Sequence, residues 1–260
     1  MKLRSVAVVS SAPLADGFHS LSIENDFPEK PVPGQFLHVD AGPGTFLRRP
    51  FSIAWADSRH IRLLYRVRGK GTDYLSRRKP GDYLNALGPL GNGFPTEPVY
   101  SRCWLVAGGS GIAPLAFLLS ELLKRSCRPS LLYGAKTESE ILETVLPKGS
   151  YERAYSTDDG SRGFPGTVTA MLRDKFRKDT PEIIFAAGPI PALKETVHLA
   201  GKKNVPSYVT LESRMACGMG ICYGCVIPVK TRTGWEYRRV CSDGPVFRGE
   251  DIAWDRDMGL

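Results

Sequence analysis

Four cysteines crowd toward the end of the 260-residue chain, at Cys217, Cys222, Cys225 and Cys241, spaced C-x4-C-x2-C-x15-C. Three thiols on one tight loop, with a fourth arriving from a distant segment, is the plant-type ligand spacing of a 2Fe-2S cluster. The residues between them suit that role. Gly218, Gly220 and Gly224 accept the positive φ angles a wrapping loop needs, and so aim backbone N–H groups at sulfur. Met215, Met219, Ile221 and Tyr223 are expected to screen the cluster from water. The alternative is structural zinc, which usually takes two separated C-x2-4-C pairs; free thiols are a third reading. Cys103 and Cys127 lie beside apolar runs and are expected in the core.

Composition bounds the rest. With 42% hydrophobic and 24% charged residues the chain reads as a folded soluble protein, and its length suggests two domains or slightly more. Glycine and proline, 27 and 20 residues, argue against an all-helical bundle. The net charge of +8 suits phosphate-bearing ligands, acidic partners and nucleic acid alike. The densest basic stretch, residues 59–79, alternates with apolar residues as a strand does, so nucleic acid is not the expected partner. No apolar run reaches the roughly 18 residues of a membrane span. The N-terminal apolar stretch is broken by serines and too weak for a secretory signal, so the expected location is cytoplasmic. Cysteines in that reducing compartment are metal ligands more often than disulfides.

Three regions follow in order, giving an α+β multidomain fold. Residues 1–97 read as short strands, at 4–9, 18–23, 35–40, 51–55 and 60–68, separated by glycine, proline or aspartate; that spacing suggests a small antiparallel β-barrel. In the last of these Ile61, Leu63, Tyr65 and Val67 share one face, while Arg62, Arg66 and Arg68 share the other. Residues 98–210 alternate strands (104–107, 130–133, 183–187, 205–211) with helical segments, the pattern of a doubly wound α/β parallel sheet. One helix carries Leu115, Leu118, Leu119 and Leu122 at i, i+3, i+4 and i+7, with Pro114 in its first turn; the others are expected near 167–176 and 191–200. Residues 211–260 have too few periodic apolar positions for a core of their own, and the cysteine site is expected to hold them.

Two further groups of residues suit nucleotides. Arg49, within RRPFSI at 48–53, supplies a fixed cationic fork for phosphate. Gly71 and Thr72 open a short helix whose N–H groups suit the same anion. Gly108, Gly109 and Gly111, between a strand and a helix, form a phosphate-cradling loop lacking the third glycine of the dinucleotide fingerprint. Asp158 and Asp159, further along the sheet, would repel a 2′-phosphate and favour NAD over NADP.

Together the RPFS, GT, GGSGIAP, TDDGS and GP segments, and above all LESRMACGMGICYGC at 211–225, resemble the electron-transfer subunits of class 1B dihydroorotate dehydrogenase, within the ferredoxin-NADP reductase superfamily. The resemblance implies FAD in the barrel, NAD on the sheet and a C-terminal 2Fe-2S cluster ligated by the four cysteines. Arg49, Pro50, Phe51 and Ser52 would contact FAD, with Ser52 near flavin N5. Tyr65, Arg66 and Val67 would line the flavin, and Gly71 and Thr72 would hold its pyrophosphate. It also implies a hetero-oligomeric partner, an FMN-containing catalytic subunit that oxidises dihydroorotate in pyrimidine biosynthesis. Many superfamily members carry a cysteine just before the Gly188-Pro189 pair, where this chain has Ala187.

A cluster passes single electrons and NAD takes two as hydride, so a flavin must convert between them. The implied route runs from FMN through the cluster and FAD to NAD+. No catalytic acid-base residue is expected, and His19, His38, His60 and His198 read as structural or solvated. Two other readings share parts of this pattern. One is the small flavin and iron-sulfur subunit of a ferredoxin-dependent NAD(P) reductase or sulfide dehydrogenase; the other is a zinc-stabilised binding module without enzymatic activity.

Overall fold

The structure is a computed structural model that describes residues 2–15 and 17–258. Strands β1 (Lys2–Ala15), β2 (Phe18–Glu24), β3 (Phe36–Val39), β4 (Arg49–Ala56), β5 (His60–Arg66) and β6 (Tyr83–Leu90), with helix α1 (Lys70–Ser76) before β6, close into an antiparallel barrel in the order β1-β2-β5-β4-β3-β6. Period-two alternation fills its interior with Leu21, Ile23, Leu37, Val39, Ile53, Ile61 and Leu63. The sixth strand is an addition to the sequence reading. The outer face of β5 is not simply a charged, solvated one, because Leu64 is buried there against Ala54 and Ala113.

Residues from 102 onward build a seven-stranded sheet. Its parts are β7 (Arg102–Gly108), α2 (Ile112–Leu122), β8 (Arg128–Ala135), β9 (Glu152–Thr157), β10 (Phe164–Pro165), α3 (Val168–Lys175), β11 (Ile183–Ala187), α4 (Ile190–Lys202) and β12 (Ser207–Thr210). A two-stranded hairpin of β13 (Val226–Thr231) and β14 (Gly234–Arg239) follows, and then β15 (Val246–Arg248). The sheet order is β10-β9-β8-β7-β11-β12-β15, parallel throughout except for β15, which runs antiparallel to β12. Strand order therefore reverses between β7 and β11, the crevice where open α/β sheets bind nucleotides.

Both faces of this sheet are covered, as a parallel sheet requires. Leu105 faces α2 with Leu115, Leu118 and Leu119, while Trp104 and Val106 face the opposite core. That second core continues without a break into the C-terminal region through Cys225, Ile227, Val240, Cys241 and Ile252. Hydrophobic burial thus anchors the tail to the sheet, contrary to the expectation that the cysteine site alone must hold it. Its apolar positions are too scattered for periodicity to reveal, since their partners lie on β7, α3 and α4. Fully burying one such aliphatic side chain contributes roughly 1.5–3 kcal/mol. Cys103 and Cys127 are buried as expected, their sulfurs 3.2 Å apart at the start of β7 and β8. Among the described residues no helix is long and apolar enough to cross a membrane.

Candidate cofactor sites

A cleft of about 340 Å³ opens where the barrel, the sheet and the C-terminal region meet. The barrel contributes Pro50, Phe51 and Ser52 from β4 and Tyr65 and Arg66 from β5; the sheet side adds Ser110, Ala113, Lys136 and Glu140. Leu211, Glu212, Ser213, Met215 and Pro245 close the third wall. The Tyr65 hydroxyl and the Arg66 Nε are buried without hydrogen-bond partners, a costly state that a polar ligand in the cleft would relieve. Burial also pushes the Tyr65 phenol well above its usual range, so it stays a neutral donor. Arg66 Nη2 lies 2.5 Å from Glu140, and the guanidinium stacks over Phe18 at 4.5 Å, an ion pair that joins barrel to sheet across the cleft.

Arg49, Val67, Gly71 and Thr72 lie outside this cleft's wall. Gly71 is buried where a Cβ would meet that of Ala41 at 2.8 Å and the Arg49 Cγ at 3.7 Å, which places Arg49 beside the start of α1. The Thr72 hydroxyl accepts from the N–H groups of Arg68 and Gly69, at 2.9 and 3.2 Å, and fixes the turn entering that helix. Arg49, Gly71 and Thr72 thus form a second patch beside the cleft.

Gly108, Gly109 and Gly111 sit at the C-terminal end of β7, at the strand-order reversal. Gly109 takes φ +54°, and a Cβ on Gly111 would lie 2.2 Å from the Ala187 carbonyl oxygen, so only glycine lets α2 start this close to β11. Asp158 follows β9, exposed, two strands from that loop. Asp159 differs in that its Oδ1 already accepts from the Ser161 N–H and hydroxyl, bonds that hold its carboxyl below the usual range.

The cysteines draw together from the loop after β12 and the turn after β14. The Cys217 thiol neighbours that of Cys222, and the Cys241 thiol neighbours that of Cys225. Two pairs suit two irons. Backbone N–H groups already point at sulfur: Gly220 to Cys241 at 3.1 Å, Met219 to Cys217 and Gly224 to Cys222 at 3.4 Å each, and Cys241 to Cys225 at 3.4 Å. Desolvation raises the Cys217 thiol, yet the N–H groups of Met219, Cys222 and Ile221 outweigh it and bring the group down to about 6. Burial, and then the Cys225 thiol, push Cys241 up to about 12.

Gly218 and Gly220 take the expected positive φ, +70° and +81°. Gly224 does not; the third left-handed position is Tyr223, at φ 56°. Its ring packs against the Arg239 guanidinium at 5.0 Å, and Arg239 in turn donates to the Gly220 carbonyl at 2.9 Å. The expected screen is also corrected: Met219, Ile221 and Tyr223 are exposed, because the loop packs on the core at its Cys225 end while Cys222 and these side chains face outward. Met215 alone of that set packs inward, and it also lines the cleft. The sequence reading missed Glu212, Lys136 and Glu140. Glu212 carried a signal in its place directly ahead of the cysteine segment; the other two join Arg66 in the cleft wall only through the sheet's approach to the barrel.

The family described as the iron-sulfur cluster binding domain of dihydroorotate dehydrogenase B matches residues 212–253. A protein of Caldanaerobacter subterraneus, named as the electron-transfer subunit of NAD(+)-dependent dihydroorotate dehydrogenase B, is 40% identical over 86% of this chain and 88% of its own. The equally named protein of Bacillus caldolyticus is 37% identical over 95% of this chain and 97% of its own. Among solved structures, a chain of an NADH-dependent reduced ferredoxin-NADP oxidoreductase superposes with a TM-score of 0.86 at 29% identity, covering 96% of this chain and 90% of that one.

Proposed function

This chain belongs to the family of dihydroorotate dehydrogenase B electron-transfer subunits, and from that premise we propose the following division of labour among its residues. The protein is an NAD-linked oxidoreductase subunit with FAD and a 2Fe-2S cluster. It carries electrons from the FMN-containing catalytic subunit that oxidises dihydroorotate to NAD+, in pyrimidine biosynthesis. The bound flavin supplies the change from single electrons to hydride.

Cys217 and Cys222 hold one iron, and Cys225 and Cys241 the other. Ser52, Phe51, Pro50, Tyr65 and Arg66 receive the flavin end of FAD, while Arg49, Val67, Gly71 and Thr72 receive its extended remainder. Gly108, Gly109 and Gly111 cradle the pyrophosphate of NAD, and Asp158 meets its adenosine ribose. The chain falls into an FAD domain (1–97), an NAD domain (98–210) and a cluster region (211–260). The exposed apolar side chains of Met219, Ile221 and Tyr223 around the thiols suit a surface covered by the partner subunit in a hetero-oligomer. A cytoplasmic location fits that role.

One observation carries this reading. The segment that forms the third wall of the cleft, Leu211 to Met215, runs directly into Cys217, and Pro245 on the same wall follows Cys241 by four residues. Cluster cradle and flavin cleft therefore share a wall. Anaerobically purified protein should be coloured and yield FAD, with about two irons and two acid-labile sulfides per chain. Zinc without FAD would reject the assignment. Dihydroorotate should then drive NAD+ reduction only after the FMN subunit is added.

A further inference from the structure

His38 occupies a place that the relay as described does not use. It lies on β3, only 1% exposed, and neither ring nitrogen has a hydrogen-bond partner. Alternation along β3 sends Leu37 and Val39 into the barrel and Phe36 and His38 outward, and Phe36 lines the cleft. Across the strands His38 faces Pro50, another cleft residue, and Leu87. The cysteine loop covers its remaining side: a Cβ on Gly218 would lie 2.5 Å from His38 Nδ1. The backbone of Arg48 and of Cys217 comes close enough to the ring to favour its protonated form, but neither meets the geometry of a hydrogen bond. An imidazole is thus buried between the strand bearing the flavin-site residues and a cysteine ligand, with its hydrogen-bonding capacity unspent.

Leaving both nitrogens unbonded is costly, and a buried polar group in that state calls for a ligand. Iron-sulfur clusters present such acceptors, and hydrogen bonds to their sulfurs tune the reduction potential. We propose that His38 is a positioning residue of the cluster: its ring N–H donates to sulfur on the Cys217 side, holding the loop against the flavin-site strand and favouring the reduced cluster. The inference rests on the proposal that the four cysteines bind a 2Fe-2S cluster.

The test uses the complex with its catalytic subunit, comparing wild type, His38→Leu and His38→Gln. Iron, sulfide and FAD content are measured first, then the cluster's midpoint potential by EPR-monitored titration. His38→Leu should retain its cofactors but be about tenfold harder to reduce, a downward shift of about 59 mV for a one-electron couple. His38→Gln, which keeps an N–H donor, should recover most of that shift. An unchanged midpoint in a fully loaded His38→Leu complex overturns the proposal. Wild-type protein labelled with 15N-histidine gives a readout independent of any variant's folding: pulsed EPR of the reduced cluster should detect a histidine nitrogen coupling, and its absence in loaded protein is equally decisive against the bond. Wild type without iron or an EPR signal instead removes the cluster assignment itself.

Discussion

Its place on the cleft wall decides how Glu212 titrates. The residue lines the cleft with its side chain open to solvent, and desolvation by the neighbouring walls still pushes its carboxyl above the usual 4.5, with Arg68 partly opposing the shift. A carboxyl whose folded value lies above its unfolded one contributes full stability below the unfolded value and loses that contribution as pH rises through the folded value. Thermal unfolding of the wild type should therefore weaken from pH 4.5 upward more steeply than that of Glu212→Gln. Parallel curves for the two proteins would show that Glu212 carries no such linkage. A second expectation concerns Gly218, whose left-handed backbone and contact with His38 both exclude a side chain. Gly218→Ala should cost about 1–2 kcal/mol from the backbone alone, and iron should leave faster in a chelator challenge; wild-type retention and stability would contradict this. Gly218 was legible in the sequence because cysteine spacing demands a tight loop. Glu212 was much less so, since Arg68 and the enclosing walls come from segments far away in the chain.

Elements were legible where one strand or helix carries its own periodicity. β5 and α2 do, and the parallel strands β8 and β11 stand out as apolar runs. β6 was hidden because Gly88-Pro89 interrupts its alternation, and β14 because nearly all of its side chains face solvent. β15 is three residues long and has meaning only beside β12. The tight crossing of α2 over β11 offers a direct test at this scale. Gly111→Ala sets a methyl carbon 2.2 Å from a backbone oxygen that no rotamer change can move, and should lower unfolding stability by about 3 kcal/mol, read from the urea midpoint. An unshifted midpoint would mean the helix and strand separate freely. Iron removal tests how the tail is held. Because Ile227, Val240 and Ile252 are fully buried in the sheet's core, chelated protein should keep slow amide exchange in β15 while the loop at 217–224 becomes fast. Fast exchange throughout 211–258 would restore the view that metal alone secures the region.

At the scale of the whole molecule, the sequence revealed the barrel, the sheet and the cysteine site separately, but not the cleft they enclose. That cleft depends on Arg66 meeting Glu140 and on the tail folding back to supply a wall. The same assembly bears on the dinucleotide placement proposed above. From the glycine loop ending β7 to Asp158 beyond β9 is a step of two strands, about 10 Å at the usual spacing, a reach suited to pyrophosphate at one end and the adenosine ribose at the other. Asp159 Oδ1 is engaged by Ser161, so in the proposed site Asp158 is the carboxylate with both oxygens open to a ribose. There it would accept a hydrogen bond from a ribose 2′-hydroxyl and repel a 2′-phosphate. Two opposed effects on one variant follow: Asp158→Asn should weaken NADH and strengthen NADPH as reductants of the bound flavin, narrowing their ratio of kcat/KM by about tenfold or more. Stopped-flow reduction with each nucleotide would measure this. An equal loss with both would make Asp158 a general binding residue, and no change would place the adenosine ribose elsewhere on the sheet.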